Sequence, residues 1–258
     1  MLNFNELVRS TKNMCAKVLD ELGLSSDDYR IDVQDPSDFI KDEYELCYKG
    51  TNLSTDDVIG FISNSDCINT YASSLMYTCY YFSKEHNKRV IRCVIPTNNL
   101  LKLLYENERT NYIFKKIGEK DSEKYVTTDI LLEYIYLCIK HEVGHLMDYN
   151  QRVGINLEGL DNFEKYENNN NKSYVEWGNY YVSKHNAFQK YLNEIDTDEN
   201  RDKFDSLADK AEKETYMDII KHYYEIPMEK NANTLGNVDV NRFIELTYFC
   251  EVRPQALL

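Results

Sequence analysis

Apolar residues recur at helical spacing in several separate stretches. Phe4, Leu7, Val8, Met14, Cys15, Val18, Leu19 and Leu22 predict a helix over 4–22, with Gly23 as its stop. Ile68, Tyr71, Ala72, Leu75, Met76 and Cys79 form a second stripe and predict a buried helix over 66–87. Leu100, Leu101, Leu103 and Leu104 predict a helix capped by Asn98 or Asn99 and reaching toward Ile117. In a further stretch, opened by Thr127-Thr128-Asp129, Ile130, Leu131, Tyr134, Ile135, Leu137 and Cys138 are apolar on most sides, the signature of a buried helix. Leu207, Ala208, Ala211, Thr215, Ile219 and Tyr223 mark one starting at Asp205. Pro227 breaks it and opens another over 229–235, which Gly236 ends, and 238–249 is a last apolar helix.

Strand signals are fewer. Tyr29–Val33 and Tyr44–Tyr48 are short β-prone runs separated by the turn signal Asp35-Pro36. Val90–Ile95, bounded by Pro96, is the strongest strand signal and the expected edge strand beside a cleft. Val58–Ile62, after a helix start at Ser54, fits either structure. Residues 150–204 are polar and contain Asn168-Asn169-Asn170-Asn171. They read as a loop over 161–172, expected to be a surface insertion, followed by one helix over 174–193 that carries Tyr174, Trp177, Tyr180, Tyr181, Phe188, Tyr191 and Leu192. The expected class is α+β, mostly helical with a small N-terminal β-sheet. One domain would span 1–258: an N-terminal α/β part over 1–125, a site helix over 126–149, an insertion or lid over 150–204, and a helical part over 205–258.

Composition narrows the setting. The 258 residues are 42% hydrophobic, enough for a sizeable core, and the net charge is −14. That acidity argues against a nucleic-acid backbone or an anionic membrane surface as partner. The seven cysteines form no C-x-x-C pair and mostly sit among apolar neighbours, so they read as reduced core thiols of a cytoplasmic protein. No secretory signal opens the chain, and its longest apolar run, interrupted by Glu133, is too short to span a bilayer.

The chemistry concentrates in His141-Glu142-Val143-Gly144-His145, which fits H-E-x-x-H. Four residues apart on a helix, His141 and His145 share a face and can bind one Zn²⁺; Glu142 lies within reach of a bound water as its general base. Catalytic zinc needs a third protein ligand and an open position. Residues 146–152 read LMDYNQR, so the extended three-histidine motif is absent. Glu229 is the best candidate for the third ligand, with Glu225 its competitor near the same helix break. Ala232 lets the two helices approach, and Asn233 can accept a hydrogen bond from a ligand imidazole. His222, Tyr223 and Tyr224 are candidates for stabilising an oxyanion, and spacing does not choose among them. His86 and His185 read as solvent-exposed.

HEVGH followed by Glu229-Lys230-Asn231-Ala232-Asn233 resembles the zinc metallopeptidases of the gluzincin type, with H-E-x-x-H on one helix and E-x-x-A-D or E-x-x-x-D on a second. The second motif is similar to the E-x-x-A-N of intracellular bacterial and phage-borne members, including those that cleave repressors of mobile elements. The likeness covers about ten motif residues and the order of the helices. It implies a zincin-like fold, one Zn²⁺ per chain held by His141, His145 and Glu229, Glu142 as base, Asn233 behind a ligand, and a peptide or protein substrate. The chain departs from the pattern in carrying Asn233 for the commoner Asp, and in a long interval between His145 and Glu229 that 150–204 has to fill. The rival expectation is a catalytically silent fold that binds a partner protein through the tyrosine-rich 174–193.

Overall fold

The structure, a computed structural model, describes residues 4–25, 29–34, 77–83, 88–94, 128–153 and 159–252. The chain divides into two compact units, Met1–Ile139 with Leu258, and Lys140–Leu257.

In the first unit, helix α1 (Phe4–Glu21) buries Leu7, Thr11, Cys15, Val18 and Leu19 along one face. It closes with the Schellman pattern: Leu24 N–H bonds Leu19 O and Gly23 N–H bonds Asp20 O, with Gly23 at φ 76°. Strands β1 (Tyr29–Gln34), β2 (Tyr77–Ser83) and β3 (Lys88–Val94) form a sheet of order β1-β3-β2. β1 runs parallel to β3, from Tyr29↔Arg89 to Gln34↔Val94. β2 runs antiparallel to it, from Tyr77↔Val94 to Ser83↔Lys88.

Several expectations are corrected here. The helix expected over 66–87 is a strand at 77–83: Tyr-Thr-Cys-Tyr-Tyr-Phe is aromatic and β-branched, and pairing with β3 outweighs the helical spacing of its apolar residues. β3 is paired on both sides, so it is a central strand and offers no free edge for adding a substrate strand. The α+β class itself does not hold. The described residues are overwhelmingly helical, and the unit that carries the site residues is helical throughout its regular structure, so the fold is a helical one in which three short strands are a local feature. The reason lies in the helical apolar spacing of Ile130–Cys138 and of Leu207–Tyr223, so that helices bury helices there. The runs 44–48 and 58–62, the start at Ser54, His86 and the helix of 100–117 lie outside the described residues.

Helix α2 (Thr128–Val153) begins in the first unit and continues into the second. Leu131, Tyr134, Ile135, Leu137, Cys138, Ile139, Val143 and Leu146 are buried along it. The second unit continues with α3 (Leu160–Ile195), α4 (Phe204–Tyr224), α5 (Pro227–Leu235), α6 (Val240–Thr247) and a π-helical turn (Tyr248–Val252). The polar loop expected over 161–172 is helix: α3 is continuous for 36 residues. One asparagine of the run explains why. Asn170 is buried, its amide bonds back to Tyr166 O at 2.8 Å, and its Oδ1 accepts Met228 N–H at 3.1 Å. Tertiary contacts of this kind override the weak helix propensity of asparagine.

α3 packs antiparallel along α4. Trp177 Nε1–H bonds Ile219 O at 3.0 Å, Tyr180 bonds Asp218 at 2.5 Å, and His185 lies 2.9 Å from the Tyr216 hydroxyl. Pro227 at the first turn restarts the chain as α5. Asp239 caps α6 by accepting Arg242 N–H at 3.1 Å. None of the described helices is long and apolar enough to cross a membrane.

Candidate metal centre

The centre is set by how closely α2 and α5 approach. A Cβ on Gly144 would stand 1.9 Å from Ala232 O, and one on Gly236 2.1 Å from Lys140 O. Glycine on each helix therefore faces backbone on the other, and Ala232 itself is fully buried between them. Gly236 has ordinary helical dihedrals, and the left-handed residue that ends α5 is Asn237 (φ 50°). Gly236 caps α5 where the sequence placed its end, and glycine is required there by the contact with α2 rather than by backbone freedom.

This approach brings His141 and His145 of α2 against Glu229 of α5. Their ligating atoms lie within 4.8 Å of one another. Glu229 Oε2 is 2.9 Å from His141 Nε2 and 3.4 Å from His145 Nε2, and the two Nε2 atoms are 3.2 Å apart. His141 and Glu229 are buried, and His145 is nearly so. His141 Nδ1 lies 2.8 Å from Asn233 Oδ1. An amide oxygen only accepts, so Nδ1 carries the proton. His141 packs against the stacked Tyr224 and Phe243 rings, at 5.6 and 5.5 Å.

With its proton on Nδ1, a neutral His141 turns the Nε2 lone pair toward a carboxylate oxygen. His145 Nε2 meets both at similar range. Two acceptors, His141 Nε2 and Glu229 Oε2, thus face each other at 2.9 Å, and Glu229 Oε2 is buried without a hydrogen bond. Such a set is repulsive unless a proton or a cation sits among them. Two imidazoles and a carboxylate suit a metal ion, so the residues present could hold one. Without an ion the charges show the same tension. Burial disfavours a charged His145, yet Glu229, with Glu142 and Asp148 behind it, raises its pKa above the ordinary value. Burial also opposes ionisation of Glu229, but the two imidazoles hold its carboxyl far below the usual carboxylate range.

The remaining sequence candidates separate clearly. Glu142 is half-buried next to His141, and its charge is felt at His145, Tyr174 and Tyr223. Glu225 is exposed and bonds Lys230 Nζ at 2.8 Å, so it is Glu229 that meets the histidines. His222 is half-exposed. Its Nδ1–H bonds Asp218 O at 2.9 Å and its ring stacks on Tyr180. Tyr224 is buried with its hydroxyl 3.2 Å from Thr247 Oγ1. Tyr223 is half-buried, and burial and then the charge of Glu229 push its phenol well above the ordinary range. His185, expected to be exposed, is half-buried against Tyr216.

Two parts of the centre lay outside the sequence reading. Tyr174 donates a short hydrogen bond to Glu229 Oε1. Buried Asp148, one turn beyond His145, is held by Arg152 Nε at 2.9 and 3.0 Å, and the Arg152 guanidinium lies 3.7 Å above the Tyr166 ring. Spacing by four puts Asp148 and Arg152 on one helix face, and likewise Tyr166, Asn170 and Tyr174, but spacing does not say which element the second face meets. Comparison with protein-family models, with curated proteins and with solved structures finds no match.

Proposed function

We propose that this protein is a zinc-dependent peptidase of the gluzincin type, acting on a narrow set of peptide or protein substrates. The observation that carries this reading is the convergence of His141, His145 and Glu229 on one point, with Glu142 next to His141 in sequence. Zinc is the ion that suits two imidazoles and a carboxylate with one position left open. When bound, it would lower the pKa of a water and polarise the scissile carbonyl. Glu142 then takes a proton from the attacking water and gives it to the leaving amine. Asn233 holds His141 in the tautomer that leaves Nε2 free to bind. Of the three oxyanion candidates, His222 and Tyr224 bond elsewhere, which favours Tyr223, whose ring packs near that of Tyr174, the donor to Glu229.

The test is Glu142→Gln. Wild-type protein is loaded with zinc and given a mixed peptide library, and cleavage is followed by mass spectrometry. The variant is expected to keep about one zinc per chain and to lose cleavage by roughly 10²–10⁴-fold. A variant as active as wild type sinks the mechanism. A wild-type chain that binds zinc and cleaves neither the library nor intact proteins from its host favours the silent, partner-binding fold instead.

A further inference from the structure

Three side chains of α3 reach α5, and they are spaced by four. Tyr166 receives Asn231 Nδ2–H on its hydroxyl at 3.2 Å. Asn170 Oδ1 accepts Met228 N–H, a backbone donor in the first turn of α5 that has no partner within its own helix. Tyr174 donates to Glu229 Oε1. One stripe of α3 thus holds the side chain of Asn231, the backbone of Met228 and the carboxylate of Glu229, along the first turns of the helix that brings the carboxylate to the histidines. The next stripe, Trp177, Tyr180 and His185, binds α4 instead.

We propose that α3 is the positioning element of the metal centre and that Tyr174 selects which oxygen of Glu229 binds the ion. This rests on the metal-centre reading above. A carboxylate has two equivalent oxygens and free rotation about its last bonds, so by itself it can meet an ion with one oxygen or with both. Tyr174 occupies Oε1 as a donor, and Oε2, buried and without a hydrogen bond, is the oxygen left facing His141 and His145. Tyr174 touches a ligand and not the reacting atoms, which makes it a positioning residue.

The test compares wild type, Tyr174→Phe and Tyr180→Phe. Tyr180→Phe removes an equivalent phenol from the same helix, where it faces Asp218 of α4. Zinc affinity is measured by competition with a chromophoric chelator, the visible spectrum is recorded with Co²⁺ in place of zinc, and the melting temperature is taken in excess chelator. Tyr174→Phe is expected to weaken zinc binding by roughly 10- to 100-fold and to change the Co²⁺ bands as Glu229 becomes free to turn. Tyr180→Phe is expected to leave both unchanged, whatever it does to the melting temperature. If Tyr174→Phe binds zinc as tightly as wild type with the same cobalt spectrum, or if Tyr180→Phe weakens binding equally, Tyr174 does not position the ligand, and the centre itself stands. If the wild-type chain takes up neither zinc nor cobalt, the centre falls and this inference with it.

Discussion

His141 carries two constraints at once. Its Nδ1 is committed to Asn233 and its ring is fixed by Tyr224 and Phe243, so Nε2 has one direction left, toward Glu229 and His145. Asn233→Ala removes the acceptor and frees the ring to change tautomer. Zinc affinity, read by chelator competition, is expected to fall roughly 10- to 100-fold, and Asn233→Asp to restore it. An Asn233→Ala protein with wild-type affinity would show that packing alone orients the imidazole. This much was legible in the sequence, because two histidines four apart, and Glu229 four before Asn233, carry their geometry in their spacing. Tyr174 was not legible. In a chain with 22 tyrosines, one phenol has no distinguishing mark until the helix opposite it is known.

At the scale of the elements, the contact between α2 and α5 has no room in it. Gly144→Ala places a methyl group inside Ala232 O, so the two helices have to part. The expected cost is about 1–3 kcal/mol in urea unfolding, together with loss of tight zinc binding, since His141 and His145 flank the contact. Gly178→Ala is the matched control. Nothing lies within 4 Å of its added methyl, and it should gain roughly 0.5–1 kcal/mol from the helix propensity of alanine without touching the metal. Equal losses at both positions would argue that Gly144 matters for reasons other than contact. Elements with strong periodicity and clear ends were readable: the helix expected over 4–22 and found at 4–21, the site helix expected over 126–149 and found at 128–153, and the Pro227 restart. The two misread stretches failed for one reason. Residues 77–83 and 161–172 take their structure from partners, a neighbouring strand in one case and α5 in the other; helical apolar spacing masked the first, and the weak helix propensity of asparagine the second.

For the molecule as a whole, the centre couples metal, protons and stability. An ion that binds the folded chain and not the unfolded one stabilises by about 3–4 kcal/mol when present at 100 to 1,000 times its dissociation constant. Protons compete for the same atoms. In the metal-free chain the folded pKa of His145 is raised above 6.5, so the stability it contributes is complete below that value and is lost as pH rises through the raised one. The folded pKa of Glu229 is depressed below 4.5, so its contribution is present above that value and is lost only as pH falls through the depressed one. The pair therefore supports the metal-free fold best between about 4.5 and 6.5 and less in alkaline solution. Zinc needs His145 deprotonated, so its benefit runs the other way. The rise in melting temperature from chelator to excess zinc is expected to be larger at pH 8 than at pH 6. In Glu229→Gln the rise should shrink at both pH values, because the site then loses its only anionic ligand as well as the group that holds the His145 proton. A rise independent of pH in the wild type would mean that zinc stabilises the chain somewhere other than His141, His145 and Glu229.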